Sequence, residues 1–168
     1  MQMRKKLLSM LVLLIAAVMS TLANEVTIAT NTKQISYTSG DITINVHEKG
    51  LGDEDGAYVS DTRPMTISCS NGNILSVVLR IGYYSSEANT VFANPGTCTV
   101  SGSGDKSTYV TVSDINAASV TIASDGVHID QVVVTYETVN VTGIALSQTE
   151  TTMLLGGGTL TLTATVAP

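Results

Sequence analysis

Met65-Thr-Ile-Ser-Cys-Ser-Asn-Gly-Asn-Ile-Leu-Ser-Val-Val-Leu-Arg-Ile81 is the stretch from which the fold is read. On both sides of Asn71-Gly72, β-branched and other apolar side chains alternate with polar ones, the period of a half-buried strand. Asn-Gly supplies the positive backbone angles of a two-residue turn, so a hairpin is predicted between the Met65 and Leu75 strands.

The same signature recurs outward from this stretch. Val26-Thr-Ile-Ala29, Gln34-Ile-Ser-Tyr37, Asp41-Ile-Thr-Ile-Asn-Val46, Thr97-Cys-Thr-Val100, Thr108-Tyr-Val-Thr-Val112, Ser119-Val-Thr-Ile122 and Ile129-Asp-Gln-Val-Val-Val-Thr-Tyr136 all read as strands. Between them stand turn formers: Ser39-Gly40, Asp55-Gly56, Asn94-Pro-Gly96, Gly102-Ser-Gly-Asp105 and Ser124-Asp-Gly126. Nine strands without helical periodicity predict an all-β fold, an antiparallel β-sandwich of jelly-roll or Ig-like type, over residues 24–138.

The amino terminus reads as a secretory signal peptide over residues 1–23. Arg4, Lys5 and Lys6 precede an apolar run from Leu7 to Val18, and Thr21-Leu-Ala23 is a small-residue exit. The run is about 12 residues, whereas a spanning helix needs about 20, so no membrane span is expected after cleavage. After Ala23, fourteen acidic residues face five basic ones, a formal charge of −9. That balance argues against a nucleic-acid-binding surface and suits an exported protein.

At the other end, Val139-Asn-Val-Thr-Gly-Ile-Ala-Leu-Ser-Gln148, Thr151-Thr-Met-Leu-Leu155 and Thr159-Leu-Thr-Leu-Thr-Ala-Thr-Val166 read as three short strands, with Gly156-Gly-Gly158 as a turn. Three strands cannot cover both faces of a sandwich, so residues 139–168 are expected to be the start of a truncated β-domain. Val141-Thr-Gly-Ile-Ala-Leu-Ser147 and Leu154-Leu-Gly-Gly-Gly-Thr-Leu-Thr-Leu-Thr-Ala-Thr-Val-Ala-Pro168 resemble the opening of a group 2 bacterial Ig-like domain (Big2). Such domains serve as spacers and adhesive modules on bacterial surface proteins. The stretch from Thr66 to Leu79, with His128-Ile-Asp-Gln-Val-Val-Val-Thr-Tyr136, similarly resembles an N-terminal β-sandwich module of exported Bacteroidetes surface proteins. That resemblance supplies no ligand.

Cys69 and Cys98 are the only cysteines. In an oxidising compartment they would form a disulfide worth roughly 3–4 kcal/mol on the chain-entropy account. Two free thiols are the alternative. Asp53, Glu54 and Asp55, with Asp61 a few residues on, offer hard oxygen ligands for a structural calcium ion, although they lack EF-hand spacing. A solvated acidic turn is the plainer reading, and no other cofactor is implied.

No nucleophile elbow, phosphate-binding loop or zinc motif occurs, so no catalytic residue is assigned and an enzyme is not expected. His47 and His128 stand alone in sequence and read as ordinary strand residues. Sugar-binding sandwiches stack aromatic rings on pyranose faces, and without tryptophan the candidates are Tyr58, Tyr83, Tyr84 and Tyr109. Packing at sheet edges is the competing role for these rings. Tyr83 and Tyr84 are adjacent, and on a strand only one of them could be exposed.

The expectation is therefore a non-catalytic module of an exported bacterial cell-surface or secreted protein. It would act in adhesion or in binding a glycan or another cell-surface ligand, and as a spacer. The alternative is the non-catalytic front of a secreted hydrolase whose catalytic domain lies beyond Pro168. A further option is pairing of the terminal strands with another subunit.

Overall fold

The computed structural model describes residues 23–139 and the backbone of two strands, Gly143–Leu146 and Ala164–Ala167. The expected signal peptide, and the expected strand and glycine turn between residues 151 and 158, lie outside the described residues.

Residues 22–139 form one compact unit. Its strands are β1 (Ala23–Ala29), β2 (Ser36–Ser39), β3 (Ile42–Asn45), β4 (Ala57–Val59), β5 (Met65–Cys69) and β6 (Gly72–Tyr83). There follow β7 (Phe92–Asn94), β8 (Thr97–Gly102), β9 (Thr108–Ser113), β10 (Ser119–Ala123) and β11 (Val127–Thr138). One sheet has the order β1-β11-β6-β9-β8, with β4 continuing the β1 edge along the start of β11; the other runs β2-β3-β5-β10-β7. All pairings are antiparallel, and the two sheets pack face to face as a β-sandwich.

The core follows from alternation. Ile42, Ile44, Met65, Ile67 and Ile122 point inward from one sheet and meet Ile74, Leu79, Ile81, Val110, Ile129 and Val132 from the other, all fully buried. Each such side chain contributes about 1.5–3 kcal/mol relative to exposure. Along β11 the inward positions are Val127 and Ile129, then Val132, Val134 and Tyr136. The change of phase is absorbed by Asp130, which has no partner residue across β6.

That irregularity is held by charge. Asp130 is 4% exposed, and its two carboxylate oxygens accept hydrogen bonds of 2.8 and 2.9 Å from Nε and Nη2 of Arg80. The hydrogen bond and charge of Asp130 hold the Arg80 guanidinium above its ordinary pKa.

The Asn71-Gly72 hairpin is not formed. β5 and β6 belong to different sheets, so this dipeptide is a corner that carries the chain across the core. Gly72 (φ 147°) rests against β11 so closely that a Cβ would come within 1.8 Å of the Glu137 carbonyl oxygen, which leaves room for glycine alone. The connections that do fold back within a sheet are β2–β3, through Ser39-Gly40, and β8–β9, through Gly102–Ser107.

In the carboxyl-terminal segment, β12 (Gly143–Leu146) pairs antiparallel with β13 (Ala164–Ala167), with Gly143 opposite Ala167. The first lies within a stretch that reads as a strand in the sequence, and the second overlaps the Thr159–Val166 stretch and runs one residue past it.

Candidate ligand-binding site

At one end of the six-stranded sheet, three aromatic side chains form a row across three neighbouring strands. His128 of β11 is paired with Tyr58 of β4 on one side and with Tyr83 of β6 on the other. Tyr58 and His128 are the outward residues between inward apolar neighbours, and Tyr83, which follows a register shift at Gly82, is paired with His128, so all three share one outer face. The ring centroids of Tyr58 and His128 are 5.2 Å apart, and those of His128 and Tyr83 are 6.0 Å apart, both edge-on.

Tyr84 joins the row by leaving the strand. Its backbone is left-handed (φ 59°, ψ 46°), a conformation that bulky side chains rarely adopt. The turn swings its ring to 4.3 Å from Tyr83 and 5.8 Å from His128. The expectation that only one of the adjacent tyrosines could be exposed is corrected by this turn, since Tyr83 is 42% and Tyr84 48% exposed.

Tyr84 leads into a 3-10 helix, Ser85–Thr90, that lacks a side-chain cap of its own. Asp105, at the tip of the β8–β9 hairpin, supplies one by accepting a 3.0 Å hydrogen bond from the Ser85 amide. That bond lowers the Asp105 pKa. Buried Ala88 and Val91 anchor the helix to the core.

Tyr58, Arg63, Tyr84, Glu87, Asp125, Gly126 and His128 line an open depression of about 500 Å³. Its walls are tied together. The Thr90 hydroxyl donates to the Glu87 carbonyl (2.8 Å) and accepts from the Asp125 amide (3.0 Å). The Ser124 hydroxyl donates to the Val59 carbonyl (2.8 Å) and accepts from the Gly126 amide (3.1 Å). Gly126 (φ 135°) lets Tyr58 lie flat against the chain, because a Cβ there would be 2.7 Å from the phenol oxygen. Arg63 stands over the same ring, 5.5 Å from the Tyr58 centroid, with Nη1 donating to the Lys49 carbonyl.

The Nδ1 of His128 lies 3.2 Å from the Gly56 carbonyl oxygen. A carbonyl only accepts, so Nδ1 carries the proton and a neutral imidazole keeps Nε2 as an acceptor. With the Glu87 and Asp125 carboxylates, the depression combines aromatic faces with acceptors, and Arg63 is its cation.

Tyr109 is not part of this group. It lies on β9 opposite Arg80 and Ser101, on the outer surface of the sheet. Asp53 and Asp61 are turn caps on two separate turns. Asp53 and Gly56 exchange backbone hydrogen bonds while the Asp53 carboxylate accepts from the Asp55 amide at 3.0 Å. Asp61 accepts from Thr62 in the Ser60–Arg63 turn. Among the described residues, no three histidine, cysteine or acidic side chains converge to hold a metal ion, so Asp53, Glu54, Asp55 and Asp61 are not assembled as a calcium site.

The expected disulfide is not formed either, for Cys69 and Cys98 are both free. Cys69 lies on β5, in the middle of the five-stranded sheet, whereas Cys98 lies on β8, the edge strand of the other sheet, opposite Val112 of β9. Burial pushes the Cys98 thiol pKa up. His47, by contrast, is a cap: its Nδ1 accepts from the Lys49 amide at 3.1 Å.

Sequence reading named Tyr58, Tyr83 and Tyr84 but passed over His128, Arg63, Glu87 and Asp125. The available signal was the outward aromatic position shared by Ala57-Tyr-Val59 and Val127-His-Ile129. No protein-family model matches this chain, and comparisons with curated proteins and with solved structures found no match.

Proposed function

We propose that residues 24–138 are a non-catalytic glycan-binding module of an exported bacterial cell-surface or secreted protein, in which the domain begun at residue 139 acts as a spacer. The observation that carries this reading is the Tyr58–His128–Tyr83 row extended by Tyr84, whose strained backbone presents a second exposed ring beside the first. Strain of this kind costs about 1–3 kcal/mol and persists where the surroundings over-determine it, which is characteristic of ligand sites.

The chemistry favours a neutral, hydroxyl-rich ligand. Tyrosine faces stack on the apolar faces of sugar rings, and Glu87, Asp125 and His128 Nε2 accept from sugar hydroxyls. Two carboxylates against one guanidinium disfavour anionic sugars. An open depression suits a ligand presented on a surface.

The test is a glycan array probed with residues 24–168 and with a Tyr84→Ala variant. Binding to neutral glycans that the variant loses supports the reading. A flat array with folded protein removes it and leaves the spacer role alone.

A further inference from the structure

We infer that the ligand is a chain of several sugar units that continues past the aromatic depression into a second one, an inference that rests on the glycan reading. The second depression, about 640 Å³, is lined by Asn31, Thr32, Lys33, Gly52, Asp53 and Glu54. Both volumes fall in the range of about 300–1,000 Å³ that holds small ligands.

The two meet at the acidic turn. His128 lines the first depression with its Nδ1 3.7 Å from the Asp53 carboxylate, and Asp53 lines the second. The turn between them is closed by the paired Asp53 and Gly56 hydrogen bonds, so it forms a fixed rim.

The far wall is fastened to the same part of β11. The Tyr37 hydroxyl hydrogen-bonds to the carbonyls of Thr30 and Thr32. Buried Thr30 in turn donates from its hydroxyl to the Ile129 carbonyl (2.5 Å) and from its amide to the Asp130 carbonyl (3.0 Å). Ile129 directly follows His128, so the Asn31–Lys33 loop and the aromatic row are carried on one rigid support. A site held in this way loses little entropy on binding.

The chemistry of the second depression differs from that of the first. Lys33 donates, Asp53 and Glu54 accept, and Asn31 and Thr32 do both, a set matched to sugar hydroxyls. No aromatic ring lines it, because Tyr37 is buried with its hydroxyl committed to the chain. Without a stacking face it cannot retain a lone sugar, so it serves as an accessory subsite for units attached to a ring already stacked on Tyr84.

Calorimetric titration of residues 24–168 tests this, using oligosaccharides of two and six units from the β-1,4-glucan, α-1,4-glucan, β-1,4-xylan and β-1,4-N-acetylglucosamine series. In a series that binds, the six-unit member should bind at least tenfold more tightly than the two-unit member. A Lys33→Ala, Glu54→Ala double variant should lose that gain and keep two-unit affinity within twofold, whereas Tyr84→Ala should weaken both lengths at least tenfold. Statistical gain from overlapping registers along a longer chain would survive the double substitution, which separates it from a second subsite. Equal affinity for both lengths, or a length gain untouched by the double variant, overturns this inference; if Tyr84→Ala still abolishes binding, the glycan reading stands. No binding to any series brings down both.

Discussion

The rings of Tyr83 and Tyr84 lie 4.3 Å apart although the residues are neighbours in sequence, because Tyr84 turns into the left-handed region where the strand ends. On a continuous strand the two would face opposite sides of the sheet. The local strain therefore brings the Tyr84 ring, which lines the depression, against the Tyr83 ring.

Relieving that strain should separate stability from binding. Tyr84→Gly places at this position the residue that tolerates φ 59°, so thermal unfolding should occur at the same temperature or a few degrees higher. Glycan affinity should fall at least tenfold. A variant that is clearly destabilised would show that the Tyr84 ring supports the fold.

Asp105 is predicted to act as a positioning residue. It caps the Ser85 amide, next to Tyr84, from a fully exposed site, so Asp105→Ala should weaken binding several-fold while hardly moving the unfolding midpoint. Its pKa is lowered in the folded protein, so the stabilising contribution is present above the ordinary carboxylate range and disappears as pH falls through the lowered value. Wild type should keep its affinity at pH 5 and lose the Asp105 contribution only in stronger acid, and titrations of wild type and variant across that range read it out.

Arg80 and Asp130 should dominate the polar contribution to stability. Arg80→Ala leaves a buried carboxylate without its partner at the β11 irregularity, for an expected loss of about 2–4 kcal/mol in denaturant unfolding. Arg80→Lys should recover only part of it, because one ammonium cannot reproduce the two-pronged contact. Equal stability of all three proteins would contradict the structure here.

The two thiols provide a chemical check. Cys69 is buried and burial raises the Cys98 pKa, so a thiol reagent near pH 7 should modify the native protein slowly. Denaturant without reductant should release two reactive thiols per chain. Zero would mean that the disulfide forms after all.

Much of the fold was legible because the alternation is local. Ile42-Thr-Ile44 and Met65-Thr-Ile67 announce their buried faces residue by residue. Strands β4 and β7 were not legible, since three residues contain no period to detect. Asn71-Gly72 misled because the dipeptide specifies a tight turn but not which sheet the next strand joins. The site was half legible: tyrosines attract attention by type, but His128 gains its role from pairing with residues 70 and 45 positions away. Arg63, Glu87 and Asp125 lie on turns whose meeting depends on every strand between them.

Ring-carbon and amide NMR shifts of residues 24–168, titrated with the neutral glycan that gives the strongest array signal, test the central claim most directly. The account predicts that the largest changes fall on Tyr58, Tyr83, Tyr84 and His128 and on the Asp125 and Gly126 amides. Changes centred instead on Tyr109, Arg80 and Gln131, across the outer surface of the same sheet, would contradict it.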